Sequence, residues 1–540
     1  MKNIILKLVA VILAVTATLG IVACDTSSGD QSSLHGKDSS SQGASDSSSG
    51  GVSDESTEKD LIFVSINDIH GSIEQDENGK NGLSNTAAVI DKMSENYGKV
   101  GKDVRDDIIL FGNGDMFQGT AISNMSHGRA VIEAMNDMRF DGMGIGNHEF
   151  DWGLDTILAY FDGDESNGEA NFPLVTANVY KKSEGKYISD IYDDDNVINS
   201  TIIEKSGVKV GLIGVIGPLE NSILSARIAD YSLRKEYVVD RVKEVALDLK
   251  ADGAEIISLN IHNGDDYNEE FVNLNDNGDY LIDVVFNGHT HSTYKHEITR
   301  DDGINVPCVQ GGSNNDAFAY IKLTYSTEND TIEYTSSGYR KISNSDYAYD
   351  STVENTIREY RAQLIDSLPV LATSAKTVRN RSDLYDYVGN VMLNAFEADY
   401  SCSNTGGIRS TGDITANKDI KEDALYKIVP FDNAMYVIEM QGKGLYKYYT
   451  EQGDYNYYGI KDVAKSFYDL KYDENYYTVA IIDYVYTGSY FTPYLDYVKT
   501  AVKTDVMLRD LLVEDVRLCG LAGDKWDYNS APHIGKVNWN

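Results

Sequence analysis

The chain has 540 residues, too long for one ordinary core and long enough for two large domains. With 41% hydrophobic and 24% charged residues, its bulk is globular rather than fibrous or disordered. The formal net charge of -38 excludes a nucleic-acid polymer as partner, because such binding draws its affinity from Lys and Arg against phosphates. It does not exclude a small phosphate ester, since bound divalent cations would be the largest local charges in a site.

Lys2, Lys7 and an apolar run from Leu8 to Ala23 read as a signal peptide over 1–24. Ile21-Val22-Ala23-Cys24 resembles a bacterial lipobox, which implies a diacylglycerol thioether on Cys24 and an extracytoplasmic protein held on the cell membrane. Residues 25–58 are almost all Ser, Gly, Asp, Thr and Gln and predict a disordered tether. From Leu61, short apolar runs recur at Leu61–Ile66, Ile108–Phe111, Val210–Ile216, Glu255–Ile261, Tyr280–Phe286 and Ala317–Tyr325. Helical spacing, as over Val239–Lys250, separates several of them. Buried strands alternating with helices predict a layered α/β domain over 59–345. Asp350–Leu368, ahead of Pro369, predicts a linker helix within 346–368.

A second domain is expected over 369–540. Its pattern predicts a helix near Tyr385–Phe396, a turn at Gly406-Gly407, strands at Met435–Met440 and Tyr477–Ile482, and a helix over Leu495–Val513. Cys308, Cys402 and Cys519 lack metal-site spacing, so they predict structural roles, at most one disulfide and a free thiol. With 38 tyrosines, a single tyrosine is a poor functional marker.

Five turns carry the chemistry. Asn67-Asp68-Ile69-His70 follows the first apolar run, and Gly112-Asn113-Gly114-Asp115 follows the second. Gly146-Asn147-His148-Glu149-Phe150-Asp151, Asn260-Ile261-His262-Asn263 and Gly288-His289-Thr290-His291 come later. An Asp-x-His pair alone is more often a turn than a ligand pair. Here five of the chain's nine histidines lie in such turns, each beside Asp, Asn or Gly. Imidazole mixed with carboxylate and amide oxygen suits Zn, Mn, Fe or Co, and the lack of thiolates argues against a closed structural zinc site. Seven candidate ligands exceed what one tetrahedral ion needs and suit two ions sharing a bridging carboxylate, a recurring arrangement for phosphoryl transfer. His148, oriented by Asp151, is the candidate proton donor to the leaving oxygen.

These blocks, in this order, resemble the calcineurin-like metallophosphoesterases, and in particular the bacterial 5'-nucleotidase and UDP-sugar hydrolase family that includes vertebrate ecto-5'-nucleotidase. The resemblance implies a four-layer sandwich, two mixed β-sheets flanked by helices, joined by a helix to a smaller α/β substrate-binding domain. It gives one divalent ion (Zn, Mn, Co or Fe) to Asp68, His70, Asp115 and His291. A second goes to Asp115, Asn147, His262 and His289, with His148 and Asp151 as catalytic dyad. Several relatives have Gln where this chain has His291.

In the second domain, Asn404-Thr405-Gly406-Gly407-Ile408-Arg409 matches the family turn in which Asn and Arg contact substrate, and an upstream family Arg falls near Arg379 or Arg381. Phe431 matches the aromatic that stacks one face of the base, and Tyr484 stands for the aromatic on the other face. Tyr490 replaces the Asp expected to bind ribose hydroxyls. The resemblance thus implies a monomeric phosphoric ester hydrolase acting on nucleoside 5'-phosphates, with UDP-sugars as a further substrate, in extracellular nucleotide scavenging. A 2',3'-cyclic-nucleotide 2'-phosphodiesterase with 3'-nucleotidase activity is the alternative, and a surface lipoprotein that binds nucleotides without turnover is the distant one.

Overall fold

A computed structural model describes residues 57–76, 81–192, 196–234, 237–342, 348–461 and 466–538. The expected signal peptide, Cys24 and nearly all of the tether lie outside the described residues. No helix among the described residues is long and apolar enough to cross a membrane.

The first half of the fold is built on two sheets. Its strands are β1 (Glu58–Ile66), β2 (Ile108–Asn113), β3 (Gly142–Gly144), β4 (Leu174–Val175), β5 (Val197–Ile198), β6 (Ser200–Lys205), β7 (Val208–Ile216), β8 (Ile256–His262), β9 (Val284–Asn287), β10 (Thr293–Thr299), β11 (Asn305–Gly311), β12 (Ala317–Ser326) and β13 (Thr331–Lys341). One sheet has the order β13-β12-β1-β2-β3-β4-β5 and the other β10-β11-β9-β8-β7-β6. β1 to β5 are parallel to one another, as are β7, β8, β9 and β11, whereas β6, β10, β12 and β13 pair antiparallel. Both sheets are therefore mixed.

The period-2 alternation of side chains sorts residues into layers. Leu61, Phe63, Ile109 and Phe111 enter one core with Val210, Leu212, Val284 and Phe286 of the other sheet. Their neighbours Ile62, Val64, Ile108 and Leu110 face outward, against helices α1 (Leu83–Asp91) and α2 (Arg129–Asp137). On the far face, Ile257, Leu259 and Ile261 pack against α3 (Val238–Ala251) through Val242, Val245 and Leu249. The layers run helix, sheet, sheet, helix.

The linker helix α4 (Ser351–Leu364) starts where Asp350 accepts from the backbone N–H groups of Thr352 and Val353, an N-cap. It stops at Leu364, short of the Leu368 expected from spacing. Val353 and Ile357 are buried in the outer core of the first sheet, and Ser84 donates to Glu354 at 2.7 Å. The helix is thus bolted to the first half of the fold rather than free between two bodies.

The second half has its own hydrophobic core. A small sheet combines β14 (Val370–Ser374) with β16 (Asp419–Lys421) and β21 (Lys525–Trp526). The larger one has the order β18-β15-β19-β17-β20, formed by β15 (Tyr400–Asn404), β17 (Ala434–Gln441), β18 (Asn456–Ile460), β19 (Tyr476–Ile482) and β20 (Val498–Met507). The helices of this half include α5 (Tyr385–Phe396), α6 (Gly442–Gln452), α7 (Asp483–Thr487) and α8 (Leu508–Leu521).

Two expected elements differ. Tyr280–Phe286 is not one strand: β9 begins only at Val284, because the Asp283 carboxylate accepts from the Ile257 backbone N–H. Leu495–Val513 is not a helix: β20 occupies Val498–Met507 and α8 starts at Leu508. The three described cysteines are buried and free, so no disulfide forms among them.

Candidate active site

Parallel neighbours end on a common edge, and crevices at the carboxyl ends of strands are where open α/β sheets place ligands. The turns after β1, β2, β3, β8 and β9 converge there. They bring Asp68, His70, Asp115 and His291 into one group, and Asp115, His262 and His289 into another, with the donor atoms of each group within 4.8 Å of one another. The backbone itself is unusual: Asp68, His70, Asp115, His289 and His291 all have φ between 49° and 73°. Side chains rarely adopt this left-handed region, and such strain clusters at functional sites. Gly114, at φ 78°, has room for no side chain, since an added Cβ would lie 2.6 Å from the His262 ring.

Neighbouring groups aim each ring. The second nitrogens of His70 and His262 lie 3.0 and 2.8 Å from the backbone carbonyls of Gln118 and Asn113, which accept their N–H protons and turn Nε2 of each inward. His70 Nε2 comes to 3.0 Å from His291 Nε2. His289 Nδ1 lies 2.9 Å from Asn147 Oδ1.

The donor set fits divalent metal. Asp68 Oδ1 and His262 Nε2 are buried and make no well-aligned hydrogen bond; their nearest ionisable neighbours are His291 Nε2 at 3.4 Å and Asp115 Oδ2 at 3.2 Å, a crowding of donor atoms that a bound ion would satisfy. Burial, with neighbouring cationic groups adding to it, pushes His289 and His291 down to about 4, so both are neutral imidazoles with a lone pair to offer at neutral pH. Burial would also raise both carboxylates. At Asp68 it prevails, taking the group to about 7, whereas at Asp115 His262 and His148 reverse it and hold the carboxyl well below its ordinary range. His262 shows the complement: burial opposes its charge, but Asp115 and Asp68 lift it to about 10. Two buried carboxylates here draw a cation.

His148 is the hinge between the two halves of the site. Its Nδ1 lies 2.8 Å from Asp151 Oδ2, and its Nε2 lies 3.2 Å from Arg409 Nη2, which comes from the second half of the chain. Burial lowers its basicity, yet the Asp151 and Asp115 carboxylates outweigh that and raise it. The Phe431 ring stacks on the His148 ring with centroids 5.6 Å apart, and the Arg409 guanidinium lies 5.1 Å from the Phe431 centroid. A cavity of about 440 Å³ opens here, lined from one side by Asp115, Asn147 and His289 and from the other by Asn404, Arg409 and Tyr484.

The structure does not bring every expected residue to this cavity. Arg381 donates to the Ile408 carbonyl at 3.1 Å, one residue from Arg409, while Arg379 is exposed, and neither lines the cavity. Sequence reasoning missed Glu149. Its buried carboxylate accepts backbone N–H bonds from Asp115, Met116 and Gly146 at 2.6 to 2.8 Å, tying together two of the turns that carry candidate ligands. Ser222 and Leu224, which also line the cavity, carried no signal in the sequence.

Comparison with known proteins agrees with this arrangement. Residues 62–293 match the calcineurin-like phosphoesterase family, and residues 365–475 match the 5'-nucleotidase C-terminal domain. The chain is 24% identical over 429 residues to the 5'-nucleotidase of Homo sapiens, covering 72% of this chain and 71% of that protein. It is 26% identical over 412 residues to Endonuclease YhcR of Bacillus subtilis, covering 71% of this chain but only 32% of that longer protein. In fold it is similar to the 5'-nucleotidase precursor of Thermus thermophilus, with a TM-score of 0.68 at 18% identity over 89% of this chain and 100% of that one. With both family domains in order and a candidate metal-binding cluster at the strand ends, the chain belongs to the calcineurin-like metallophosphoesterases that carry a 5'-nucleotidase C-terminal domain, and it is a metal-dependent phosphoric ester hydrolase.

Proposed function

We propose that the chain hydrolyses nucleoside 5'-phosphates at a site holding two divalent ions. The observation that carries this reading is a shared cavity, in which Arg409, Phe431 and Tyr484 of the C-terminal domain face His148, Asn147 and Asp115 of the catalytic domain. Asp68, His70, Asp115 and His291 would hold one ion, and Asp115, Asn147, His262 and His289 the other. Divalent ions bound there supply positive charge against the phosphoryl oxygens and acidify the attacking water.

The chain's own residues do the rest. Asp151 fixes the His148 ring through Nδ1, which leaves Nε2 to donate a proton to the ester oxygen. The water oxygen bonds phosphorus and its proton passes to solvent, the P–O ester bond breaks, the His148 proton ends on the released 5'-hydroxyl, and solvent reprotonates His148. The Arg409 guanidinium, held within reach of His148, offers its paired N–H groups to the phosphate. Asn404 adds an amide at the same wall, and Phe431 and Tyr484 supply ring faces for a base.

The domain limits proposed are 59–345, 346–368 and 369–540. A lipobox ending at Cys24 supports a lipid-anchored, extracytoplasmic enzyme, and Cys24→Ser is expected to move the protein out of the membrane fraction. Phosphate release from AMP, 2',3'-cyclic AMP, 3'-AMP and UDP-glucose tests the substrate, after chelation and after restoring Zn, Mn or Co. AMP is expected to be preferred. Preference for the cyclic ester would replace this reading with the phosphodiesterase one, and hydrolysis of none with any metal would leave only a binding role.

A further inference from the structure

Phe431 sits in a stretch that no helix or sheet ladder holds. Residues 429–433 run between the helix Glu422–Ile428 and β17, in neither helix nor strand, so their backbone groups need partners from elsewhere. Pro430 has no N–H to donate, which leaves its carbonyl as the handle of the stretch. Two buried side chains, one from each domain, take hold of it.

From the C-terminal domain comes Arg509, the second residue of α8 and only 7% exposed. Its Nη1 donates to the Pro430 carbonyl at 2.9 Å and, more loosely, to those of Val429 and Phe431 at 3.4 Å, while Nη2 pairs with the Asp432 carboxylate. The Tyr426 ring centroid lies 4.0 Å from the guanidinium carbon. From the catalytic domain comes Asn124, 6% exposed, whose Nδ2 donates to the same Pro430 carbonyl at 2.8 Å. Asn124 Oδ1 accepts from the Gly119 N–H at 2.9 Å, and the carbonyl of the preceding Gln118 is the one that aims His70. The stretch is tied at its start as well, where the Arg409 N–H donates to the Ile428 carbonyl at 2.9 Å. Hydrogen bonds thus lead from the turn beside a candidate metal ligand, through Asn124 and Pro430, to the ring that stacks on His148.

We propose that Asn124 and Arg509 are positioning residues for base recognition: together they clamp the Pro430 carbonyl and so set where the Phe431 ring stands relative to the phosphate site. Neither lines the cavity, so both act through Phe431, and the inference rests on that ring being a face for the base. A base gains from stacking only if the ring stands where a phosphate held near Arg409 and His148 lets the base reach it. A ring free to shift would lose part of that gain to the entropy of ordering it. Asn124 makes the register an interdomain one, since a single amide bonds Gly119 in one domain and Pro430 in the other. The fork of Arg509 spans a run of carbonyls and a carboxylate at once, which the single ammonium of a lysine does not.

The ratio of kcat/KM for AMP to that for ribose 5-phosphate isolates what the base contributes, because both present the same 5' ester. It is measured on the metal-loaded full chain. Asn124→Asp keeps the acceptor for Gly119 and removes the donor to Pro430, and Arg509→Lys keeps the charge beside Asp432 and loses the fork. Each is expected to lower the ratio about three- to tenfold, through KM for AMP, and Phe431→Ala about tenfold or more. In the Phe431→Ala background, neither is expected to change the ratio by more than about twofold, because the ring they position is gone. The two variants lie in different domains, so misfolding of one leaves the other to decide. A role in folding alone would lower both substrates together, and an unchanged ratio would overturn the clamp. So would effects that add in full to that of Phe431→Ala. If Phe431→Ala itself spares the ratio, base stacking fails and the clamp with it, whereas failure of the nucleotide reading would show separately, as absent AMP hydrolysis in the unaltered chain.

Discussion

His148 and His262 are both buried histidines next to Asp115, yet their surroundings assign them different work. His262 Nε2 lies 3.2 Å from Asp115 Oδ2, and its other nitrogen is tied to the Asn113 carbonyl. His148 instead has Asp151 behind it and Arg409 in front. His262→Ala is therefore expected to lose bound metal, whereas His148→Ala keeps its metal and loses about 10²- to 10⁴-fold in kcat, the usual share of a positioned acid or base. Metal analysis beside steady-state kinetics checks both, and full metal content in His262→Ala would refute its assignment. At this scale the candidate ligands that the fold brings together were legible because each sits in a short turn among Asp, Asn and Gly, directly after an apolar run. Glu149 was not, since an acid beside two marked residues looks like a further ligand candidate or a surface charge. Its three backbone partners come from two turns that only the fold brings together. Arg379 and Arg381 were misplaced for a related reason: how the segment before α5 is wound turns Arg381 to the Ile408 carbonyl and leaves Arg379 exposed, which spacing does not report.

The strands decide where those residues go, and one strand start carries a titrating group remote from them. Asp283, immediately before β9, lies at the opposite end of that strand from His289. Its carboxylate accepts from the Ile257 N–H at 2.9 Å, and burial, against the pull of Lys250, raises it to about 6. An unfolded Asp titrates near 3.9, so between about pH 4 and 6 the folded state binds the extra proton and its stability falls as pH rises. Above that window the ionised carboxylate costs on the order of 2–3 kcal/mol. Asp283→Asn keeps an acceptor for Ile257 and removes the charge. It is expected to stabilise the protein by about that amount at pH 8 and hardly at all at pH 4, in denaturant titrations. An equal effect at both values would show that ionisation is not the cause. The same residue marks where an apolar run read as one strand from Tyr280 enters the sheet, at Val284. In β20 the ambiguity was periodic: Val498, Val502 and Val506 recur every four residues, which suits a helix face and a strand face alike, and pairing with β17 decides for the strand. Where the spacing had one reading, as over Val238–Ala251, the helix was legible to within a residue or two.

Across the whole molecule, the two domains meet on both sides of the active-site cavity. Asn124 donates to the Pro430 carbonyl at 2.8 Å, next to Phe431, and Ser225 donates to the Thr487 carbonyl at 2.8 Å, near Tyr484. The candidate metal ligands, by contrast, all come from the catalytic domain, from turns spread between residues 68 and 291. Holding them together brackets most of that domain's chain. An ion bound by the folded site and not by the unfolded chain stabilises by mass action, about 2.7 kcal/mol at a hundredfold excess over Kd. Calorimetric scans of the full chain with and without chelator should therefore show Tm falling on chelation, with Zn, Mn or Co restoring it. The shift should belong to the unfolding of the catalytic domain, because the C-terminal domain has a separate core and contributes none of the ligands. In His262→Ala the chelator should move Tm little or not at all, since that variant begins without the full ligand set. A chelator shift of the same size in that variant would mean that the metal stabilising the fold is held elsewhere than at the ends of β1, β2, β8 and β9.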